Sequence, residues 1–250
     1  MNPPFQVSLP SKSLRRLLTH RGDCNGRHPI GSEKWRTSKW KRLLELALPA
    51  LNELPDELTW SLGGGTALSI SLNHRISYDI DIFFQDASAL KFLSPNKNKK
   101  IRALSDDWQQ PGNYLKIERP EGDIDFLIAR TFSASPHFHH NFKGNEILVE
   151  TPAEIIAKKI HYRGSQFSVR DIFDIAAVSQ LAPDALPSVS SEIRDALPRV
   201  WDRIKLLRKR YDQTIHDAVL PLGPGVNFLD QGVDIAIKAL ESTIAELDKQ

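Results

Sequence analysis

The sequence predicts an α+β fold, because segments with strand character lie early in the chain and helical segments lie late. The strand-like segments fall between residues 58 and 150, and the pattern from Thr151 onward is helical. A run of strands followed by a run of helices is typical of this class. No internal repeat is visible. We therefore predict a basic N-terminal arm (1–32), an α/β core (33–150) and a helical C-terminal domain (151–250).

The predicted core begins with a helix and continues with strands. The spacing of Leu43, Leu44, Ala47 and Leu51 predicts a helix over residues 33–52, which Pro55 ends. Further along, the pattern predicts a strand at 58–62, a short helix at 66–72, a strand at 79–84, a helical or loop stretch to 93, a basic loop at 95–100, and strands at 113–118, 123–129 and 145–150.

Short motifs predict where the chain turns and where the late helices begin. Arg119-Pro120-Glu121-Gly122 predicts a hairpin turn, and we predict that residues 137–140 form a surface loop. Thr151-Pro152-Ala153-Glu154 is a capping box with proline at the first helical position, and Ser168-Val169-Arg170-Asp171 is a second capping box. Helical breaks are expected at Pro183, at Pro187 and at 220–225.

The composition is that of an ordinary soluble chain. Of its 250 residues, 40% are hydrophobic and 26% are charged, which suffices for one substantial core or two small ones. No apolar stretch approaches the ~20 residues that cross a bilayer, and no signal segment is visible, so we expect no membrane association and a cytoplasmic location. Cys24 is the single cysteine, which excludes an internal disulfide and a cysteine zinc site.

The basic residues are concentrated at the N-terminus. Residues 1–42 contain ten Lys or Arg against two acidic residues, a net +8 in a chain whose total is +2. Such an arm, with Trp35 and Trp40 interleaved, could hold an RNA backbone while the indole rings stack on bases. Alternatively, the two tryptophans pack under the following helix. We predict the arm as a possible contact for tRNA and leave both interpretations open.

The most informative motif is a glycine run followed by two aspartates. Asp79 and Asp81 are two residues apart in a predicted strand, so they project from one face while the isoleucines pack on the other. Two carboxylates on one face of an apolar strand repel each other unless a cation lies between them. Mg²⁺ prefers a few carboxylate oxygens completed by water and substrate phosphates, and Mn²⁺ is the alternative. The pair therefore indicates phosphoryl or nucleotidyl transfer.

The glycines predict a phosphate-binding turn. Gly63, Gly64 and Gly65 allow positive φ and let backbone amides approach an anion. A helix that starts at Thr66 would direct the positive end of its dipole toward the same anion. The alternative is a tight strand-to-helix turn without a ligand. We predict Gly64, Gly65 and Thr66 as nucleotide-binding residues.

These motifs carry a family resemblance. Gly64-Gly65-Thr66-Ala67-Leu68, His74-Arg75-Ile76-Ser77 and Asp79-Ile80-Asp81-Ile82-Phe83 resemble the signature of the AbiEii/AbiGii-type abortive-infection nucleotidyltransferase toxins, which belong to the DNA polymerase β-like superfamily. The segments Glu154 to His161 and Arg170 to Asp174 are similar to the family's lysine helix and Arg-Asp motif. The resemblance implies a mixed sheet with helices joined to a helical C-terminal region, metal-dependent transfer from a nucleoside triphosphate (NTP) to an acceptor that is tRNA in some members, and a cognate antitoxin.

A third carboxylate is predicted on the hairpin. Phosphoryl transfer commonly needs one to complete metal coordination and to accept the proton of the attacking hydroxyl. Asp125 lies between Ile124 and Phe126 on a predicted strand, as Asp81 lies in its own strand. Asp123 shares its face but is closer to the turn, where a local hydrogen-bonding role is more usual. We predict Asp79, Asp81 and Asp125 as metal ligands and catalytic residues.

The first late helix supplies the remaining candidates. Lys159 borders its buried stripe, from which its amine could reach a triphosphate or only extend to water; the resemblance favours Lys159 over Lys158. Arg163 lies four residues further along. Asp174 could orient either cation or form a structural ion pair. We predict Lys159 as catalytic, and Lys159, Arg163 and Asp174 as nucleotide-binding residues.

We predict metal-dependent nucleotidyl transfer from an NTP to an acceptor hydroxyl, with tRNA as the acceptor, by the toxin of a toxin–antitoxin or abortive-infection system. Two alternatives stay open. One is an enzyme of the same superfamily that modifies a small molecule such as an aminoglycoside. The other is a non-catalytic module that binds a nucleotide or an antitoxin.

Overall fold

The computed structural model describes residues 37–249. Its helices are α1 (Trp40–Leu51), α2 (Gly64–Leu72), α3 (Ala89–Leu93), α4 (Lys99–Arg102), α5 (Pro152–Lys158), α6 (Val169–Leu181), α7 (Ser190–Ile193), α8 (Leu197–Ala218) and α9 (Gly232–Leu247). Its strands are β1 (Trp60–Gly63), β2 (Ile80–Phe84), β3 (Trp108–Gln109), β4 (Tyr114–Ile117), β5 (Ile124–Ile128), β6 (His137–Phe142) and β7 (Asn145–Glu150). The α+β class is confirmed.

The described strands form one mixed sheet in the order β3-β4-β5-β2-β1-β7-β6. Strand β2 pairs in parallel with β5, and β1 pairs in parallel with β7, whereas the other neighbours are antiparallel. The two-residue β3 and the histidine-rich β6 form the two edges. Consequently β1, β2 and β5 lie inside the sheet, where their positions are set by neighbours on both sides.

The central strands separate an apolar face from a polar one. In β2, Ile80, Ile82 and Phe84 are buried and alternate with the half-buried Asp81 and Phe83. Strand β5 has the same alternation over its first residues. Since register partners in adjacent strands share a face, the apolar residues form a continuous core surface and the polar residues collect on the opposite side.

The late helices pack together and reach the sheet through α2. Helix α6 contacts α8 and α9, and α2 contacts both α5 and α6. Buried apolar residues from both sides of residue 150 belong to one connected core. The division into parts at residues 32 and 150 stays a prediction, and the basic arm lies outside the described residues.

Most predicted elements are confirmed within one to three residues, but the edges of the sheet differ. The predicted loop at 137–140 is wrong, because these residues belong to β6, which pairs along its whole length with β7. Part of the predicted basic loop at 95–100 belongs to α4, and β3 has no counterpart among the predicted strands. Strand β6 carries polar residues on both faces and β3 is only two residues long, so neither has the apolar alternation from which strands are inferred.

The first helix begins later than predicted. Residues 37–39 precede α1, and the part of the predicted helix before residue 37 lies outside the described residues, as does Trp35. The four leucine and alanine residues expected on one face are buried. Trp40 is half-buried and packs against Phe142, with ring centroids 5.8 Å apart, which agrees with the packing interpretation. No helix in the described part of the chain is long and apolar enough to span a membrane.

Candidate active site

A row of register partners crosses the polar face of the sheet. Gly63 of β1 is opposite Asp81 of β2, Asp81 is opposite Asp125 of β5, and Asp125 is opposite Lys116 of β4. Asp79 lies just before β2, and its Oδ1 accepts a hydrogen bond of 3.1 Å from the backbone amide of Asp123. The parallel pairing of β2 with β5 thus brings together the three carboxylates predicted from the sequence.

The glycine turn lies directly against this row. Gly64 has a φ of 61°, and a Cβ at this position would lie 2.0 Å from Oδ2 of Asp81. Only glycine fits here, because any side chain would strain the backbone and displace the carboxylate. Helix α2 begins at Gly64, so its first amides, which have no partner within the helix, lie at the same end as Asp81.

The residues after Gly64 brace the turn from behind. A Cβ on Gly65 would lie 2.7 Å from the Arg75 guanidinium. Thr66 is fully buried, and its hydroxyl donates to the carbonyl oxygen of Asp79. From this position Thr66 supports the site rather than lining its surface, and it ties the glycine helix to the first aspartate.

The carboxylates are held in an environment that disfavours their charge. Burial and the neighbouring charge of Asp79 raise the pKa of Asp81. Burial raises the pKa of Asp125 to about 7, against the opposing charge of Lys116, whose Nζ lies 3.6 Å from Oδ1 of Asp125. That Oδ1 is buried without a hydrogen-bond partner. Concentrated negative charge with an unsatisfied oxygen is an arrangement that a cation would stabilise.

The side chains of the acidic row are of the kind that binds a divalent cation. Asp79, Asp81 and Asp125 offer the hard carboxylate oxygens that Mg²⁺ and Mn²⁺ prefer, and the buried Oδ1 of Asp125 has an unused lone pair. As they stand, no three acidic, histidine or cysteine side chains in residues 37–249 are arranged closely enough to hold a metal ion. The strand register places Asp81 and Asp125 side by side, and Asp79 lies two residues before Asp81.

The predicted lysine is held by two aspartates. The Nζ of Lys159 lies 2.7 Å from Asp171 and 2.9 Å from Asp174. Arg163, half exposed, donates to the same Asp171 oxygen at 2.9 Å. Although burial opposes it, the charges of Lys159 and Arg163 hold the pKa of Asp171 below its usual range. Asp171 also completes the predicted capping box with Ser168, which is confirmed.

Asp174 is the centre of a buried ionic network. It accepts hydrogen bonds from the Arg75 guanidinium at 2.6 and 2.9 Å, lies 2.9 Å from Nε2 of His74, and pairs with Lys159. Against the effect of burial, Arg75 and Lys159 hold the pKa of Asp174 well below its usual range. Because Asp174 is 0% exposed, it orients the two cations from behind the site and is not placed to touch a bound nucleotide.

Three cations and two aspartates leave this network with a net positive charge beside the acidic row. The charges of Lys159 and Arg163 both lower the pKa of Asp81 and so partly offset burial. The positive network is therefore electrostatically connected to the carboxylates.

Sequence reasoning missed Arg75, His74 and Lys116 as parts of the site. The segment that contains His74 and Arg75 carries the family resemblance, and this resemblance could have identified both residues. Both are buried, and they connect α2 with α6 through Asp174. Lys116 pairs with Asp123 at 2.5 Å. It had no sequence signal, because its place beside Asp125 arises only when β4 pairs with β5.

The family model "Nucleotidyl transferase AbiEii toxin, Type IV TA system" matches residues 46–234. A crystal structure from H. pylori, assigned as a nucleotidyltransferase, aligns with 84% of this chain and 95% of its own at 17% identity and a TM-score of 0.48. No curated protein sequence matches this chain significantly.

Two further solved structures align with more than half of the chain. ANT(2″)-Ia in complex with adenylyl-2″-tobramycin aligns with 62% of this chain and 97% of its own, at 16% identity and a TM-score of 0.46. A STING-associated CdnE c-di-GMP synthase from Capnocytophaga granulosa aligns with 84% of this chain and 80% of its own, at 11% identity and a TM-score of 0.30.

Proposed function

Because the chain belongs to the AbiEii family of type IV toxin–antitoxin nucleotidyltransferases, we propose that it transfers a nucleotide from an NTP to an acceptor hydroxyl of tRNA with the help of Mg²⁺ or Mn²⁺. The observation that carries the proposal is the cross-strand pair of Asp81 and Asp125 against the Gly64 turn. This pair places carboxylates of the kind that bind metal ions next to a helix N-terminus that can bind an anion.

The binding of the NTP is assigned to both sides of the site. The backbone of Gly64 and Gly65, at the start of α2, receives phosphate oxygens through free amides. Asp79, Asp81 and Asp125 would hold the divalent cation, which when bound neutralises charge on the phosphates. Lys159 and Arg163 supply positive charge from the opposite side, and Asp171 fixes both of them.

The proposed reaction is an in-line displacement at the α-phosphorus. Asp125 accepts the proton of the acceptor hydroxyl, whose oxygen forms a bond to the α-phosphorus while the bond to the bridging oxygen breaks and pyrophosphate leaves. The register pairing of Asp125 with Asp81 places this carboxylate next to the residues that would hold the cation, where the acceptor hydroxyl has to lie. Lys159 and Arg163 stabilise the charge that develops on the leaving pyrophosphate.

We also propose tRNA as the acceptor and a cognate antitoxin as the partner. The basic N-terminal region, with a net +8 over residues 1–42, is suited to a polyanion such as tRNA. Membership in a toxin–antitoxin family supports a cognate antitoxin that restrains the activity. Since tRNA and NTPs are cytoplasmic, we propose that the protein acts there.

An acceptor screen tests the proposal. The protein is incubated with each α-³²P NTP and Mg²⁺ or Mn²⁺, together with total tRNA or an aminoglycoside. We expect label on tRNA, pyrophosphate release, and the loss of both in Asp81→Asn. Asp123→Asn is the matched control, because this aspartate pairs with Lys116 on the same face and is expected to keep substantial turnover.

Each alternative has its own outcome. Label on the aminoglycoside and none on tRNA would show that the acceptor is a small molecule and not tRNA. Turnover retained in Asp81→Asn would refute the metal site, and nucleotide binding without pyrophosphate under any condition would favour the non-catalytic module.

A further inference from the structure

One flank of α8 carries arginines without acidic partners. Arg199 and Arg203 are four residues apart, so they lie on the same flank about 6 Å apart along the helix axis. Within residues 37–249 neither forms an ion pair with a carboxylate, and Arg203 donates only to the Phe167 carbonyl at 3.3 Å. By contrast, Lys205 and Arg208 of the same helix pair with Asp202 and Asp234. The unpaired flank is therefore available to an external anion.

An exposed aromatic ring lies next to this flank. Tyr162 is 51% exposed, and its ring contacts His161 edge-on at a centroid distance of 4.8 Å. Behind them, Phe132 is 4.9 Å from His161 and lies under the Arg130 guanidinium at 4.0 Å. The supporting rings hold Tyr162 in place at the surface, which is the property of a platform on which a base stacks.

The arginine flank and the aromatic platform are neighbours. Burial lowers the pKa of His161, and the charges of Arg130 and Arg199 lower it further. Arg199 is thus close enough for its charge to act on the ring that supports Tyr162. The turn at 164–166, which follows the platform in the chain, contacts α8 directly.

The same platform adjoins the candidate active site. Arg163 follows Tyr162 and donates to Asp171, which holds Lys159. The charge of Arg163 acts on Asp81. Tyr162 is therefore next in the chain to one of the cations that we assign to the NTP phosphates.

We propose that Tyr162, Arg199 and Arg203 form an acceptor rim that docks a single-stranded nucleic-acid end, with a base on Tyr162 and backbone phosphates on the two arginines. This inference rests on the proposed nucleotidyl transfer and adds the surface that presents the acceptor hydroxyl to it. A nucleic acid fits better than an acidic protein segment, because the arginines are accompanied by an exposed aromatic ring on which a base can stack.

Direct binding tests the rim without turnover. Fluorescence anisotropy of a labelled 12-nucleotide single-stranded RNA, and of the DNA with the same sequence, is measured between 50 and 300 mM KCl with the full chain. Arg199→Gln/Arg203→Gln should reduce the slope of log Kd against log salt by about 1.4, since each phosphate contact to a single strand contributes about 0.7. Tyr162→Ala should weaken binding at least about fivefold, and Tyr162→Phe should restore it.

Matched controls isolate position from net charge and from folding. Arg208→Gln/Lys209→Gln removes two charges from other sides of α8 and should leave the slope close to that of the unaltered protein. Thermal unfolding shows whether each variant is folded. Equal binding of RNA and DNA would show that the rim reads any single strand, whereas tighter RNA binding would add recognition of the 2′-hydroxyl.

The binding and transfer measurements distinguish an error in the acceptor rim from an error in the proposed reaction. If the unaltered protein labels tRNA but the rim variants bind and react like the α8 control, the rim is wrong and the proposed function stands. If binding depends on the rim but no label is transferred, the rim stands and the reaction is wrong. Absence of nucleic-acid binding by the folded protein would overturn the rim, and an acidic protein segment would then be the partner to test.

Discussion

Replacing Asp125 with asparagine should stabilise the metal-free protein while removing its activity. The pKa of this carboxyl rises from 3.8 to about 7 on burial, and each pKa unit corresponds to ~1.4 kcal/mol. The full shift would correspond to about 4 kcal/mol. Because the side chain is still 22% exposed, water reduces the cost of the charge, and we expect a gain of about 2 kcal/mol.

The sign follows from proton linkage. The folded pKa of Asp125 is higher than the unfolded one, so between about pH 4 and pH 7 the folded state binds more protons than the unfolded state. The free energy of unfolding of the unaltered protein therefore falls as pH rises through this window. Asparagine carries no charge at any pH, so its advantage should be full at pH 8 and should vanish near pH 4.

Urea unfolding in EDTA at pH 8 and pH 4.5 measures the effect. At pH 8, Asp125→Asn should also raise the melting temperature by about 4 to 8 °C, given ~2–4 °C per kcal/mol for a chain of this size. Asp123→Asn is the control, because it removes a carboxylate that pairs with Lys116 and should give no gain. An Asp125→Asn protein no more stable than its parent at pH 8 would refute the conclusion that this charge is held at a cost.

Three further predictions concern the metal, the turn and the buried network. Mg²⁺ at 10 mM should raise the melting temperature of the unaltered protein at pH 8, because the ion binds the folded state. In calorimetry the melting temperature of Asp81→Asn should change little. An equal rise in both proteins would show that the ion binds at another site. Gly64→Ala should abolish nucleotide transfer, because the methyl group would overlap the Asp81 carboxylate; a steady-state assay showing normal turnover would contradict the tight turn. Asp174→Asn should cost about 3–5 kcal/mol of unfolding free energy, because it leaves Arg75 and Lys159 as buried cations without their shared partner. Asp230→Asn, which removes an exposed carboxylate paired with His216, should change little in the same urea titration, and a loss below about 1 kcal/mol in Asp174→Asn would show that the network is not a structural centre.

The sequence predicted the elements that have a strong local pattern. Alternation in residues 79–84 and 123–129 predicted strands with Asp81 and Asp125 on one face, and the capping box at Thr151 predicted the start of α5. It did not predict β6, because an edge strand that carries polar residues on both faces has no apolar alternation. Local chemistry was thus sufficient for central strands and capped helices and insufficient for the sheet edges.

What the sequence determined by itself was the chemistry of the site: three aspartates, a glycine turn and a lysine helix, with the family that they indicate. Only the tertiary structure decided how these groups are used. The parallel pairing of β2 with β5 placed Asp81 opposite Asp125, and packing of α6 against α2 buried Asp174 between Arg75 and Lys159. The physical reason is that side-chain type and periodicity are local properties. Register, burial and the ion pairs that burial imposes depend on segments up to 100 residues apart in the chain.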